Sequence, residues 1–160
     1  MPVRCAVKRL TAAVGVGGRG GRGGGRGAGD TGLLAEVLKE VKLLGSCAPH
    51  ASLLPLVGFC ASPGCPPCLV YPLCVGGTLE DRLLLSAAAL QRLRALGWAA
   101  VPQPLAWPLR LRALRDAARA LAHLHLHSLL HGDIKPSNIL LDERSGARLA
   151  DFGLARVAKR

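Results

Sequence analysis

Residues 131–143 read HGDIKPSNILLDE, and Asp151-Phe152-Gly153 begins eight positions beyond Glu143. No other feature constrains the chain as tightly. Asp133 and Asn138 stand five positions apart with Lys135 between them, and Asp151 follows Asn138 by thirteen. The interval holds two short apolar runs, 139–141 and 147–150, with Ser145-Gly146 as the turn between them. That pattern predicts a small β-hairpin linking two polar loops. Two carboxylates and an amide on such loops make an oxygen-rich donor set. Phosphoryl transfer asks for little more, because its catalysis rests on holding a hydroxyl, a divalent cation and a phosphate in line while charge is neutralised.

The same spacing resembles the H-R-D-x-x-x-x-N and D-F-G loops of protein kinases. Seven positions match (His131, Asp133, Lys135, Asn138, Asp151, Phe152 and Gly153), too many for an ordinary loop followed by a surface turn. The resemblance implies that Asp133 accepts the proton of the substrate hydroxyl and that Asn138 and Asp151 hold Mg²⁺. It implies that Lys135 contacts the transferring phosphate, as in the serine/threonine form of the loop. His131 is expected to support the loop by packing and hydrogen bonding rather than to act as a general base.

Upstream, Cys5-Ala6-Val7-Lys8 resembles the V-A-I-K strand, whose lysine grips the α- and β-phosphates of ATP and pairs with a glutamate on the next helix. Apolar residues at 34, 37, 38, 41 and 44 predict that helix over 33–44, with Asp30 or Thr31 as its cap. Glu36 and Glu40 share its other face, one turn apart. Glu40 is the better match because EVKLL, then His50, then LLPLVGF follow in the kinase order; Glu36 is the reserve. Runs 53–60 and 68–71 around Ser62-Pro63-Gly64 read as a β-hairpin. GGTLEDRLLL reads as a glycine turn into a short helix capped by Thr78, with Glu80 and Asp81 in its first turn. In the kinase layout Tyr71 guards the back of the adenine pocket and 72–74 form the hinge. Pro72 lacks an N–H and can only accept there, which leaves the Cys74 backbone to donate.

GFC, CLVYPLCVGGTLEDRL, LAWPLRL, LHGDIKPSNILLDE and DFGLAR together resemble the interleukin-1-receptor-associated kinases, a family grouped with Pelle and the plant receptor-like kinases. Gly132, where most kinases carry Arg, points to the first, catalytically active member of that animal family, although some plant relatives also lack the Arg. It implies that no Arg beside Asp133 pairs with an activation-loop phosphate. The implied fold is α+β, a two-lobed kinase-like architecture. Residues 1–71 would form the small lobe with a Gly/Arg-rich insert at 14–29, 72–77 the hinge region, and 78–160 the start of the helical large lobe. No G-x-G-x-x-G precedes Lys8 and no A-P-E follows Gly153. The expectation is therefore a partial domain, itself inactive, of an active ATP- and Mg²⁺-dependent serine/threonine kinase; the alternative is a truncated, non-catalytic signalling scaffold. The resemblance further implies protein Ser/Thr substrates and a receptor-proximal complex of adaptor and kinase in Toll-like and interleukin-1 receptor signalling.

Composition sets the remaining bounds. Aromatics make up 3% of 160 residues, so the core must be built from Leu, Val and Ala. The net charge of +11 would suit a nucleic acid or an acidic membrane. Much of it is Arg scattered through helices and the 14–29 tract, however, and that tract has three Arg and no aromatic. It reads as an inert, disordered loop rather than an RNA-binding segment, so no specific nucleic-acid partner is expected. No apolar run reaches the roughly 18 residues needed to span a bilayer, and six Cys with one C-x-x-C (Cys65, Cys68) fit free thiols better than a zinc site. The chain reads as cytoplasmic, without membrane insertion. Residues 86–104 read as a long surface insertion. Residues 108–126 form the clearest helical pattern, with Leu111, Leu114, Ala118 and Leu121 on one face and Arg112, Arg115, Asp116, Arg119 and His123 on the other. His123, His125 and His127 are expected on the solvent side or at the helix end.

Overall fold

The computed structural model describes residues 4–11, 27–62 and 65–158. Strand β1 (Cys5–Arg9) pairs antiparallel with β3 (Cys68–Pro72), which pairs on its other edge with β2 (Gly58–Cys60). The register sets Lys8 opposite Leu69 and Ala6 opposite Tyr71. Strand alternation turns Ala6 and Lys8 inward, while Val7 is largely exposed. The predicted hairpin of β2 and β3 is present, but its first strand is confined to 58–60 rather than 53–60; Pro63 and Gly64 of its turn lie outside the described residues.

Helix α1 (Gly27–Gly45) packs Val37 against the sheet residues Leu69 and Tyr71. It begins at Gly27, well before the expected residue 33. Gly27–Gly29 are likewise helical rather than part of a disordered tract; 12–26 of that tract lie outside the described residues. Extending a helix already nucleated by packing fixes one residue per hydrogen bond, which is why it runs past its amphipathic part.

The second half is mainly helical. Helix α2 (Leu79–Leu84) starts with a capping box in which Asp81 N donates to Thr78 Oγ1 and Thr78 N donates to an Asp81 carboxylate oxygen. Helix α3 (Ala87–Ala95) and the long helix α4 (Trp107–Leu126) follow. Then come β4 (Leu129–Leu130), a 3₁₀ turn (Pro136–Asn138), the hairpin of β5 (Ile139–Leu141) and β6 (Ala147–Leu149), and β7 (Arg156–Val157) paired with β4.

Helix α4 corrects the amphipathic reading. Its buried face is Ala113, Ala117, Ala120 and Leu124, whereas Leu111, Leu114 and Ala118 are exposed and Leu121 is only partly covered. Asp116, expected on the solvent side, is buried and accepts from the β6 amide of Ala147 at 3.3 Å. Small side chains let the helix lie close to that hairpin, and close approach wins over the size of the leucines. The core on this side also takes in Leu79, Ile139, Leu141, Leu149 and Phe152. Truncating the fully buried Phe152 to Ala would cost about 3–5 kcal/mol. Among the described residues, no helix is long and apolar enough to cross a membrane.

Candidate nucleotide and phosphoryl-transfer site

A cleft of about 520 Å³ opens between the sheet with α1 and the β5–β6 side of the molecule. Lys8, Glu40, Tyr71, Pro72, Cys74, Asn138 and Asp151, all singled out by sequence, line it. Strand β1 delivers Lys8 to its inner end. There Nζ lies 3.2 Å from Glu40 Oε2 and 2.7 Å from Asp151 Oδ1. Burial lowers the Lys8 pKa, but the hydrogen bond to Asp151 and the charges of both carboxylates outweigh it and leave it raised, so Lys8 is a cation.

Glu40 is 3% exposed, and a buried carboxylate persists only when its lone pairs are filled. Besides Lys8, it accepts from the Tyr71 hydroxyl at 2.5 Å and from the Phe152 amide at 3.4 Å, both at Oε1. Burial, then the hydrogen bond to Glu40, hold the Tyr71 phenol well above its ordinary pKa, so it stays a donor. Glu36, the reserve candidate, is exposed. Lys39 Nζ donates to the Gly153 carbonyl at 3.2 Å, a second tie from α1 to the same loop.

The loop before the 3₁₀ turn arranges the other acid. Asp133 Oδ2 accepts from Lys135 Nζ at 2.7 Å and from Asn138 Nδ2 at 2.9 Å, and Nδ2 also donates to the Asp133 carbonyl. The hydrogen bond from Lys135, then that from Asn138, hold the Asp133 carboxyl below its ordinary pKa against partial desolvation, so it is ionised and can accept a proton. His131 is buried. Its Nδ1 accepts from the Asp133 amide at 3.3 Å, which leaves the proton on Nε2, 3.0 Å from the Ala150 carbonyl. Burial lowers its pKa, and its ring meets Phe152 edge-on at 5.1 Å. One neutral imidazole thus joins the Asp133 loop to the strand that presents Asp151. Asp151 itself has φ +65°, a conformation disfavoured for a side chain with a Cβ and held here by its surroundings.

The residues fit a magnesium nucleotide. Among the described residues the Asn138 side chain bonds through Nδ2, which leaves its amide oxygen to a ligand, and Asp151 has a second carboxylate oxygen beyond the one bound to Lys8. Hard oxygen donors of this number suit Mg²⁺ completed by phosphates and water rather than an all-protein cage. Among the described residues, no cluster of three His, Cys, Asp or Glu makes such a cage. The cleft volume is that of an ordinary small-molecule site.

The fold, the cleft and these loops define a protein kinase, and the chain belongs to that family: residues 28–160 match the family described as protein tyrosine and serine/threonine kinase. It is 44% identical over 124 residues to mouse interleukin-1 receptor-associated kinase 1, covering 76% of this chain and 16% of that protein. Wall-associated receptor kinase-like 21 of Arabidopsis thaliana is 39% identical over 131 residues, with 80% and 19% covered. Nodulation receptor kinase of Pisum sativum is 39% identical over 136 residues, with 83% and 13% covered. The chain thus spans about a fifth or less of each of these relatives.

Three features of the cleft were missed in the sequence. The ion pair of Lys8 with Asp151 and the bond of Tyr71 to Glu40 join residues 143 and 31 positions apart, and no local pattern announces them. The third is α3. Residues 86–104 are not merely a surface insertion, since Arg92, Ala95 and Leu96 line the cleft. Its signal was legible: Ser86 caps the helix by accepting from Ala89 N, and Gly97 ends it at φ +104°.

Proposed function

We propose that the cleft binds Mg-ATP and that the chain is the nucleotide-binding and catalytic-loop portion of an ATP-dependent protein serine/threonine kinase. On this reading 1–71 form the small lobe, 72–77 the hinge region and 78–160 the start of the large lobe. Lys8, oriented by Glu40, grips the α- and β-phosphates. Asn138 and Asp151 hold Mg²⁺, which supplies neutralisation of the charge developing on the transferred phosphoryl group. Asp133, ionised and steadied by Asn138, orients the substrate hydroxyl and takes its proton, while Lys135 offsets charge beside it. Tyr71 closes the back of the adenine pocket, and Pro72 and Cys74 border the base.

One observation carries the reading. A single ammonium, Lys8 Nζ, lies within ion-pair reach of carboxylates 32 and 143 positions away, in a nucleotide-sized cleft that also holds Asn138. The likeness to mouse interleukin-1 receptor-associated kinase 1 supports a place in cytoplasmic, receptor-proximal innate immune signalling, with protein Ser/Thr substrates and an adaptor–kinase complex as partners. Thermal unfolding of the purified chain with and without Mg-ATP tests the site. At 100-fold excess over Kd, a ligand bound only by the native state adds about 2.7 kcal/mol. The rise in Tm should disappear in Asp151→Ala. No shift at millimolar Mg-ATP would remove the nucleotide reading.

A further inference from the structure

Helix α3 is fastened to the segment leaving the hinge at three points. The Leu93 side chain is 1% exposed and fills the space over Gly77, where an added Cβ would come within 2.5 Å of Leu93 Cδ2. Gly77 has φ +79°, so this position favours glycine on two counts. Arg92 reaches back to Asp81 Oδ1 through Nε at 3.0 Å and Nη2 at 2.5 Å. Just beyond the helix, Trp98 Nε1 donates to the Val75 carbonyl at 2.8 Å. The helix end is closed by Trp98 N to the Leu93 carbonyl and Gly97 N to the Arg94 carbonyl, a Schellman arrangement that fixes Trp98 next to Leu93.

A helix held this way presents the same residues to the cleft at all times. Arg92, Ala95 and Leu96 line it together with Gly77, Thr78 and Asp81, whereas Lys8 and Asp151, beside the neutral amide of Asn138, supply the charged groups of its other part. A nucleotide whose phosphates meet those charged groups leaves its nucleoside portion beside α3. Ala95 and Leu96 offer apolar surface to a base and sugar. Arg92 donates to Asp81 through Nε and Nη2 and retains its Nη1 hydrogens.

We propose that α3 is a nucleoside-recognition wall for a purine ligand, in which Leu96 packs on the nucleoside and Arg92, steered by Asp81, donates to the ribose hydroxyls. The proposal rests on the nucleotide reading above for the class of ligand and adds to it a specificity element drawn from residues 86–104.

The test uses the whole chain and isothermal titration calorimetry with adenosine, adenine and Mg-ATP. Adenosine has no phosphate, so Asp151→Ala should leave its Kd within about twofold. Leu96→Trp, which fills the mouth beside α3, should raise the adenosine Kd about tenfold or more. Arg92→Gln, at an exposed side chain, should weaken adenosine roughly threefold or more while leaving adenine unchanged, a split that a merely structural role would not produce. If Leu96→Trp lowers the unliganded Tm, the Arg92→Gln comparison decides alone. The proposal is overturned if the parent chain does not bind adenosine, or if adenosine binds Arg92→Gln as tightly as the parent. The two readings also fail separately. Mg-ATP binding with adenosine indifferent to α3 sinks this proposal alone. Adenosine binding that depends on α3, with Mg-ATP no tighter, sinks the phosphate end of the nucleotide reading alone.

Discussion

Gly132 offers a prediction that runs against motif-based intuition. Most kinases carry Arg at this position, so Gly132→Arg looks like a restoration. In the structure, Gly132 has φ +82°, and a Cβ there would lie 2.7 Å from the Leu154 carbonyl oxygen. Left-handed backbone costs an L-residue about 1–2 kcal/mol, and moving a packed backbone oxygen adds roughly 1–2 kcal/mol more. The expected loss is therefore about 2–4 kcal/mol, against a total of about 5–15 kcal/mol for a domain. Because the cost arises at Cβ, Gly132→Ala and Gly132→Arg should lose nearly the same amount. Urea unfolding followed by circular dichroism measures it as a lower midpoint at unchanged slope. Gly58→Ala serves as the control, since nothing lies within 4 Å of a Cβ built there. A Gly132→Ala midpoint equal to that of the parent would refute the reasoning, because neither the positive φ nor the contact with Leu154 would then be enforced.

Tyr71→Phe should cost about 1–3 kcal/mol in thermal unfolding by leaving buried Glu40 short of its hydroxyl donor; an unchanged Tm would show that water replaces it freely. Gly77→Ala should destabilise, and Leu93→Ala should relieve part of the loss in a double-mutant cycle with a coupling of about 0.5–3 kcal/mol, whereas strict additivity would mean the two do not meet. His131 and His50 both have pKa values lowered from 6.5 by burial, that of His50 also by His123 and Arg119. The unfolded chain therefore binds protons first, and the stability these groups contribute is complete above pH 6.5 and lost as pH falls towards their folded values. Tm should drop between pH 7 and pH 5, less steeply in His50→Gln; a flat profile in the parent would contradict the assignment.

The parts of the site legible in sequence were those whose spacing is itself the mechanism. Asp133 and Asn138 are joined by a single loop and turn, so five positions fix their meeting, and the hairpin of β5 and β6 fixes where Asp151 arrives. Glu40 could be preferred to Glu36 because EVKLL, which begins with it, then His50 and LLPLVGF run in the order of the resembling kinases. Two contacts between distant segments were not legible, because the bonds of Tyr71 to Glu40 and of Lys8 to Asp151 depend on how the sheet settles on α1 and on the β5–β6 hairpin. Helix α4 failed for another reason. Periodicity ranks residues by hydrophobicity, but the hairpin beneath this helix selects for small side chains along most of the contact, and Leu111 and Leu114 point away. Residues 86–104 end in V-P-Q-P, which suggests a surface insertion, although Ser86 and Gly97 are cap and stop signals for the helix between them.

The loop after α1 is pinned to α4. His123 Nε2 donates to the Ala48 carbonyl at 2.7 Å, Ala48 N donates to His127 Nε2 at 3.5 Å, the rings of His50 and His123 stack with centroids 4.7 Å apart, and the His127 ring lies tilted against His123 at 4.6 Å. This makes α1 a lever with its fulcrum at the C-terminal end. At about 1.5 Å of rise per residue, Glu40 sits about 7.5 Å from Gly45 and Gly27 about 27 Å. A swing that carries Glu40 about 2 Å from Lys8, enough to part the ion pair, carries the first turn of the helix about 7 Å. The histidine stack therefore trades force for distance: a small push at the far end of α1 acts on the Lys8–Glu40 pair with a mechanical advantage of between three and four (about 27/7.5).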